Sequence, residues 1–322
     1  MMRFLYLAAV VSLCGCAVGV PSPVPAAPEE VVAERPDAEL QGALETRVAG
    51  FAGDVGIYAH HLRTGATAAI RADEKFPTAS MIKVPLLATL YQQVQDGELP
   101  FDTMLVFRDS LRYADYDLTG RFRDSTAVPL SELAFLAISF SDNTAALWIQ
   151  SLIGGGAAAN DWLAAQGFRD TRVNSRTPGR QDDWKVYGWG QTTPREMSRL
   201  MTMIRRGEVA SPAASDRMYR TLSSIYYNSE GLSRIPPWVQ VASKQGAVDR
   251  SRSETLLVNA PTGDYVLTII TRNQQDTTYA AHNAGYRLIR DVSEIVWRHW
   301  VPDSPWEPPA GMERFRGPGD ES

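Results

Sequence analysis

Ser80 and Lys83 stand three residues apart in the run Thr78-Ala79-Ser80-Met81-Ile82-Lys83. Lysine is a rare choice in this chain. Of 32 basic residues only four are lysines: Lys75, Lys83, Lys185 and Lys244. Arginine stays protonated at any useful pH, whereas a desolvated lysine can give up its proton and act as a base. A serine hydroxyl becomes a good nucleophile only when a base takes its proton. At the start of a helix, residues i and i+3 share one face, close to the free N–H groups and positive potential of the helix N-terminus. The chemistry open to this pair is nucleophilic attack by Ser80 assisted by Lys83.

Two further runs hold residue types of the same kind. Ser141-Asp142-Asn143 joins one apolar helical run to another. Ser141 can relay a proton and Asn143 can hydrogen-bond a substrate amide. Ser, Asp and Asn are also the favoured residues at a helix N-cap, so a purely capping role fits these three as well. Lys244-Gln245-Gly246-Ala247 precedes a β-rich stretch. On an edge strand Lys244 can stabilise charge, and Gly246 permits close backbone approach. A lysine there also serves simply to protect an exposed edge.

The elements that must position these residues are legible from periodicity. Apolar residues at helical spacing predict helices over 37–51, 80–95, 130–140, 143–153, 157–166, 194–206, 214–227 and 280–299. Pro85 should kink or shorten the helix that begins near Ser80. Strands are predicted at 55–62 and 67–71 around the turn Arg63-Thr64-Gly65, and at 255–259 and 265–272 around Pro261-Thr262-Gly263. Strands at both ends with helices between them predict an α/β fold. Its antiparallel sheet is built from N- and C-terminal strands flanked by helices, with an inserted all-helical lobe.

Composition narrows the function. The chain is 44% hydrophobic and 21% charged, an ordinary globular balance. A net charge of −5 gives no basic footprint for nucleic acid. The four histidines form no metal-ligand spacing, and Cys14 and Cys16 are the only cysteines, so no metal or other cofactor is expected.

Ser-x-x-Lys, Ser-Asp-Asn and Lys-x-Gly, in that order, resemble the signature set of class A β-lactamases and penicillin-binding proteins. Leu152-Ile153-Gly154-Gly155 and Thr192-Thr193-Pro194-Arg195-Glu196-Met197 also resemble that family, and the likeness extends over about residues 40–300. The resemblance implies that Ser80 is acylated with Lys83 as base. Ser141 and Lys244 would shuttle the proton and stabilise charge. Backbone N–H groups of Ser80 and Ala247 would form the oxyanion hole, and Asn143, Gln245 and Gly246 would bind substrate. The implied substrate is a β-lactam or a peptidoglycan-derived amide. β-Lactam catabolism and response to antibiotic follow as roles, with a monomer as the working unit. The alternatives are a D-Ala-D-Ala peptidase and a non-hydrolytic penicillin- or peptidoglycan-binding lipoprotein.

Two departures stand out. The family's omega-loop glutamate, which activates the deacylating water, should fall near Thr177, and the stretch 175–184 holds no glutamate. Asp182 or Asp183 is the candidate replacement, though both also suit a solvated loop. Gln245 stands where the family usually has Thr or Ser, whose hydroxyl binds the substrate carboxylate. Arg250 or Arg252 can supply that contact, or can be surface residues. Deacylation is therefore expected to be slow.

The ends of the chain read differently. Arg3 and the apolar run 4–13, too short to span a bilayer, read as an export signal. Leu13-Cys14-Gly15-Cys16 resembles a bacterial lipobox with Cys16 as the lipidated residue. The expected order is a lipoprotein signal at 1–16, a Pro/Ala-rich tether at 17–36, the hydrolase domain at 37–302 and a disordered tail at 303–322. The mature protein is expected at the periplasmic face of a bacterial membrane, held there through its lipid anchor. Cys16→Ser should move it into the soluble periplasmic fraction and abolish incorporation of a lipid label. A variant that stays on the membrane, with no label in the wild type, would dismiss the lipobox.

Overall fold

The structure, a computed structural model, describes residues 32–114 and 116–312. Residues 1–31, with Cys16 and most of the tether, and residues 313–322 lie outside the described part. The chain enters through a short strand, β1 (Arg35–Pro36), and a helix, α1 (Ala38–Val48), capped by the Asp37 side chain accepting from Leu40 N. The predicted hairpin follows as β2 (Asp54–His61) and β3 (Ala66–Ile70). Its turn needs Gly65, which has φ +74° and packs so closely on the Ala33 carbonyl that a Cβ would lie 2.2 Å from it.

The helical lobe comes next. A short strand, β4 (Phe76–Pro77), leads into a 3₁₀ turn at Ala79–Ile82 and then α2 (Lys83–Gln95). The predicted helix at 80–95 is therefore split: its first turn is 3₁₀ and the α-helix begins at Lys83. Pro85 falls in the first turn of α2, where its missing N–H is not needed, and no kink is required. A two-stranded sheet, β5 (Met104–Val106) with β6 (Ala127–Pro129), flanks the lobe. Then come α3 (Leu130–Ser139), α4 (Asn143–Leu152) and α5 (Gly155–Ala165). Strand β7 (Arg172–Val173), a short unpredicted helix α6 (Gln181–Tyr187) and β8 (Gly190–Thr192) form the next loop, with β8 pairing to both β4 and β7. Helices α7 (Pro194–Arg205) and α8 (Pro212–Leu222) start where Pro at the first helical position and the caps Thr193 and Ser211 dictate.

The chain returns to the sheet as β9 (Val241–Val248), β10 (Ser251–Val258) and β11 (Tyr265–Arg272), and ends in α9 (Ala284–Trp300). The strand order is β1-β3-β2-β11-β10-β9, antiparallel throughout its five long strands, with β1 added as a parallel edge on β3. Two apolar cores result. One lies between the sheet and α1 plus α9, with Leu40, Leu44, Leu288, Val292, Val296 and Trp297 buried. The other packs the second face of the sheet, with Ala242, Leu257, Val266 and Ile270, against the lobe around α2, which buries Val84, Leu87, Leu90 and Tyr91.

Both expected domain ends move outward. Residues 34–36 are not free tether: Arg35 N bonds Gly65 O at 2.9 Å, and Glu34 accepts from Tyr58 OH at 2.7 Å and pairs with Arg195. Residues 303–312 are likewise attached, through Glu307 on Arg298 and Trp306 against Trp238. Short polar and proline-containing segments carry no periodic signal, so their docking depends on partners distant in sequence.

One contact fixes the sheet edge to the lobe. Strand β9 passes so close to the 3₁₀ turn that a Cβ on Gly246 would stand 2.5 Å from Thr78 O and 2.9 Å from Ser80 N. Both are backbone atoms and cannot swing aside. Gly246→Ala should lower unfolding stability by about 1–3 kcal/mol in chemical denaturation. Unchanged stability would mean that β9 is free to move off the turn.

Candidate active site

The 3₁₀ turn sets up the first pair. Residues i and i+3 eclipse in this geometry, so Ser80 and Lys83 project to the same side. Ala79, just before the serine, has φ +44°, an uncommon conformation for a residue with a Cβ. Ser80 lines a cleft of about 350 Å³ together with Ser141, Asn143, Gln245, Gly246 and Ala247. Three sequence runs separated by long stretches thus converge on one cavity.

Lys83 is buried. Its amine donates to the Ser141 carbonyl, to Ser141 Oγ at 3.2 Å and to Asn143 Oδ1 at 2.8 Å. Lys244, also buried, donates to Ser141 Oγ at 3.1 Å, to Gln245 O at 3.1 Å and to Gln245 Oε1 at 3.2 Å. The Ser141 hydroxyl therefore bridges two amines. Burial pushes the Lys83 amine down to about 7, against the opposing pull of the Asp142 and Asp117 carboxylates. Burial and the neighbouring Lys83 push Lys244 well below its ordinary value, with Glu230 and Glu254 opposing.

Ser141 holds φ +55°, and two carboxylates fix the residues that follow it. Asp142 caps α4 by accepting from Ala145 N at 2.7 Å, and its other oxygen takes Thr119 N at 2.8 Å. Asp117 accepts from Asn143 N at 3.2 Å, Thr144 N at 2.9 Å and Thr144 Oγ1 at 2.7 Å. The capping role weighed for this run falls to Asp142 alone, which leaves the Ser141 and Asn143 side chains for the cleft. Asp117 was not singled out by sequence, nor were Tyr116, Tyr227, Glu230, Tyr279 and Tyr286, which also line the cleft. Scattered single aromatics and acids carry no spacing signal that could have found them.

The loop between β7 and β8 departs from expectation. Asp182 and Asp183 do not reach the cleft. Both lie on the first turn of α6, which has no buried residue; Asp182 pairs with Lys185 at 2.7 Å and Asp183 with Arg180 at 3.0 Å. Thr177 is buried away from the cleft against α5, its Oγ1 donating to Ser175 O at 2.9 Å. What the loop offers Lys83 instead is Trp189, whose ring centroid is 5.9 Å from the amine and which packs edge-on against Tyr113. The two arginines considered for a carboxylate contact also point elsewhere. Arg250 donates to Asn273 O at 3.3 Å on the surface. Buried Arg252 bonds the carbonyls of Val248, Ser251 and Thr278 and is flanked by the Tyr279 and Tyr286 rings at 4.5 and 4.8 Å. Among the described residues, no three His, Cys, Asp or Glu side chains gather as metal ligands.

Comparison with known proteins agrees with this arrangement. Residues 39–300 match the β-lactamase enzyme family. A β-lactamase of Streptomyces albus G is 28% identical over 278 residues, covering 81% of this chain and 83% of its own. β-Lactamase VEB-1 of Pseudomonas aeruginosa is 20% identical over 247 residues, covering 73% and 81%. Among solved structures, a single-substitution mutant of PBP-A, in an acyl-enzyme complex with penicillin G, superposes with a TM-score of 0.76. It is 27% identical, covering 84% of this chain and all of that one. A β-lactamase from Sphaerobacter thermophilus shares the fold at a TM-score of 0.73 and 23% identity, covering 83% of this chain and 99% of its own. A match across nearly the whole folded part leaves one assignment: the chain belongs to the β-lactamase enzyme family, as a serine hydrolase of the class A and penicillin-binding-protein type.

Proposed function

We propose that this protein opens β-lactam amides through an acyl-enzyme on Ser80 and releases the product slowly. The observation that carries the reading is the Ser141 hydroxyl bridging the Lys83 and Lys244 amines in the cleft that holds Ser80. Neutral Lys83 takes the Ser80 proton as Oγ attacks the ring carbonyl. The N–H groups of Ser80 and Ala247 hold the developing oxyanion. The proton passes from Lys83 through Ser141 to the ring nitrogen, the C–N bond breaks, and Ser80 carries the acyl group. Lys244 stabilises negative charge, and Asn143 and Gln245 contact the substrate.

The sign of the pH dependence follows from Lys83. Its amine is a base only when deprotonated, and burial places that transition at about 7. Acylation should rise about tenfold per pH unit below this value and level off above it. Measured by stopped flow with a chromogenic cephalosporin, Lys83→Arg should cost about 10²–10⁴-fold and flatten the profile. Intact-mass analysis should show one adduct with a penicillin and none in Ser80→Ala. An undiminished adduct in that variant would remove the mechanism.

Deacylation needs a base for water, and neither aspartate of the loop lines the cleft. Product release should show a burst of about one equivalent per enzyme, followed by a slow steady state. Asp182→Asn and Asp183→Asn should leave both phases unchanged. A specific loss of the steady state in either would mean that the loop rearranges to bring a carboxylate in. The same lack of a loop carboxylate favours a second reading, a D-Ala-D-Ala peptidase or a penicillin-binding lipoprotein. Turnover of D-Ala-D-Ala peptides, or its absence with a single stable adduct, decides between them. With Cys16 lipidated, the cleft would work at the periplasmic face of a membrane.

A further inference from the structure

One carboxyl lining the cleft has no part in the acylation scheme. Glu230, immediately before the 3₁₀ turn Gly231–Arg234, lines the cleft beside Gln245, Tyr227 and Tyr286. Its Oε2 is buried and makes no hydrogen bond. A buried carboxyl oxygen without a partner is costly when the group is charged, and the Glu230 side chain as a whole borders the cavity, where a ligand can meet it.

The groups facing this carboxyl come from three elements: Lys244 on β9, Glu254 and Arg252 on β10, and Arg290 on α9. Each is already engaged. Lys244 donates to Ser141 and Gln245, and Arg252 to three carbonyls. Arg290 donates to Ser229 O at 3.4 Å and to Ala281 O. Glu254 accepts from Ser243 Oγ at 2.7 Å through one oxygen and from Gly231 N at 2.6 Å through the other. Burial raises both carboxyls, Glu254 to about 7 and Glu230 well above the usual carboxylate range; the one holding donors takes the charge first and the one without them keeps the proton longer. Burial and the Glu254 charge act in the same direction, raising Glu230 well above the usual carboxylate range. A protonated carboxyl is a hydrogen-bond donor.

We propose that Glu230 is a specificity-determining residue of this cleft, which as a neutral carboxylic acid donates a hydrogen bond to a carboxylate of the substrate beside Lys244. It takes up a task for which Arg250 and Arg252, both turned away, are not placed. The proposal rests on the acylation reading and adds a limit to it. When Glu230 ionises, its charge repels the substrate carboxylate, so the cleft loses carboxylate-bearing substrates as pH rises.

The test is the ratio of acylation efficiencies for a penicillin and for its methyl ester, which lacks the carboxylate, measured between pH 6 and 10 with the full-length protein or its soluble domain. The wild type should favour the acid by more than about tenfold near neutral pH, and the preference should fall with rising pH. Glu230→Gln, which keeps a donor that does not titrate, should lose less of the preference with rising pH than the wild type, the remaining fall being that of the lowered Lys244 amine. Glu230→Ala should lower it throughout. A preference that is unchanged in Glu230→Ala, or that falls identically in Glu230→Gln, would overturn the proposal. So would a wild type that favours the ester or an amine-bearing analogue, since the carboxyl would then be ionised and reading a cation. If neither acid nor ester acylates the wild type, the acylation reading itself fails. Near-UV circular dichroism of each variant separates a lost preference from a lost fold.

Discussion

The Ser141 hydroxyl held between two buried lysine amines is the constraint around which the cleft is arranged. Two ammonium groups cannot readily stay charged side by side in a low-dielectric interior. Burial lowers both amines, and Lys83 comes to rest near neutrality, where it can exchange a proton. The nearby carboxylates act against this drift. Asp117 and Asp142 keep Lys83 from falling further, and the Glu254 carboxylate does the same for Lys244. The balance between desolvation and these three acids sets the amine chemistry, and each acid lies outside the pair it regulates.

Holding that geometry needs strained backbone at two places. Ala79 and Ser141 both occupy left-handed conformations that cost about 1–2 kcal/mol for a residue with a Cβ. The strain is held by local bonds: Asp142 and Asp117 tie down Thr119, Asn143, Thr144 and Ala145, and Thr78 N bonds Gly190 O at 2.9 Å. Both strained residues flank or form the cleft, and neither is glycine. At Ser141 the side chain needed in the cleft rules out the residue that would have relieved the backbone.

The cleft also joins two parts of the fold, the helical lobe and the sheet. Lys83 and Ser141 belong to the helical lobe, Lys244 to the edge strand β9 of the sheet. Gly246 is the point of closest approach, and the absence of a Cβ there lets the sheet edge reach the serine turn. Edge position matters as well, since only an edge strand has N–H groups left unpaired on one side to face a cavity. The loop side differs, with Trp189 next to Lys83 and the loop's acids paired in solvent. The wall beside Lys83 is thus aromatic, where the hydrolysis proposed above would need a base for water.

Much of this was legible in the residue order. Helical periodicity placed α3, α4, α5, α7 and α9 within a few residues, because each has an apolar face that repeats locally, and α4 and α7 also carry a capping residue, Asp142 or Thr193, at the start. The three lysine- and serine-bearing runs were visible for the same reason: each is short and contiguous. Position in space was not. Asp182 and Asp183 suited the loop by sequence distance, yet an ion pair with a neighbour three residues away keeps each in solvent. Asp117, Glu230 and Glu254 gave no signal, because a lone acid shows its role only when burial and a distant amine act on it. The split of the serine helix, the parallel edge at Arg35–Pro36 and the lowered Lys83 amine are likewise tertiary outcomes. Local spacing determines which side chains share a helix face or a strand. Desolvation and contact between segments far apart in the chain decide which of them carry charge, and that is a property of the folded interior alone.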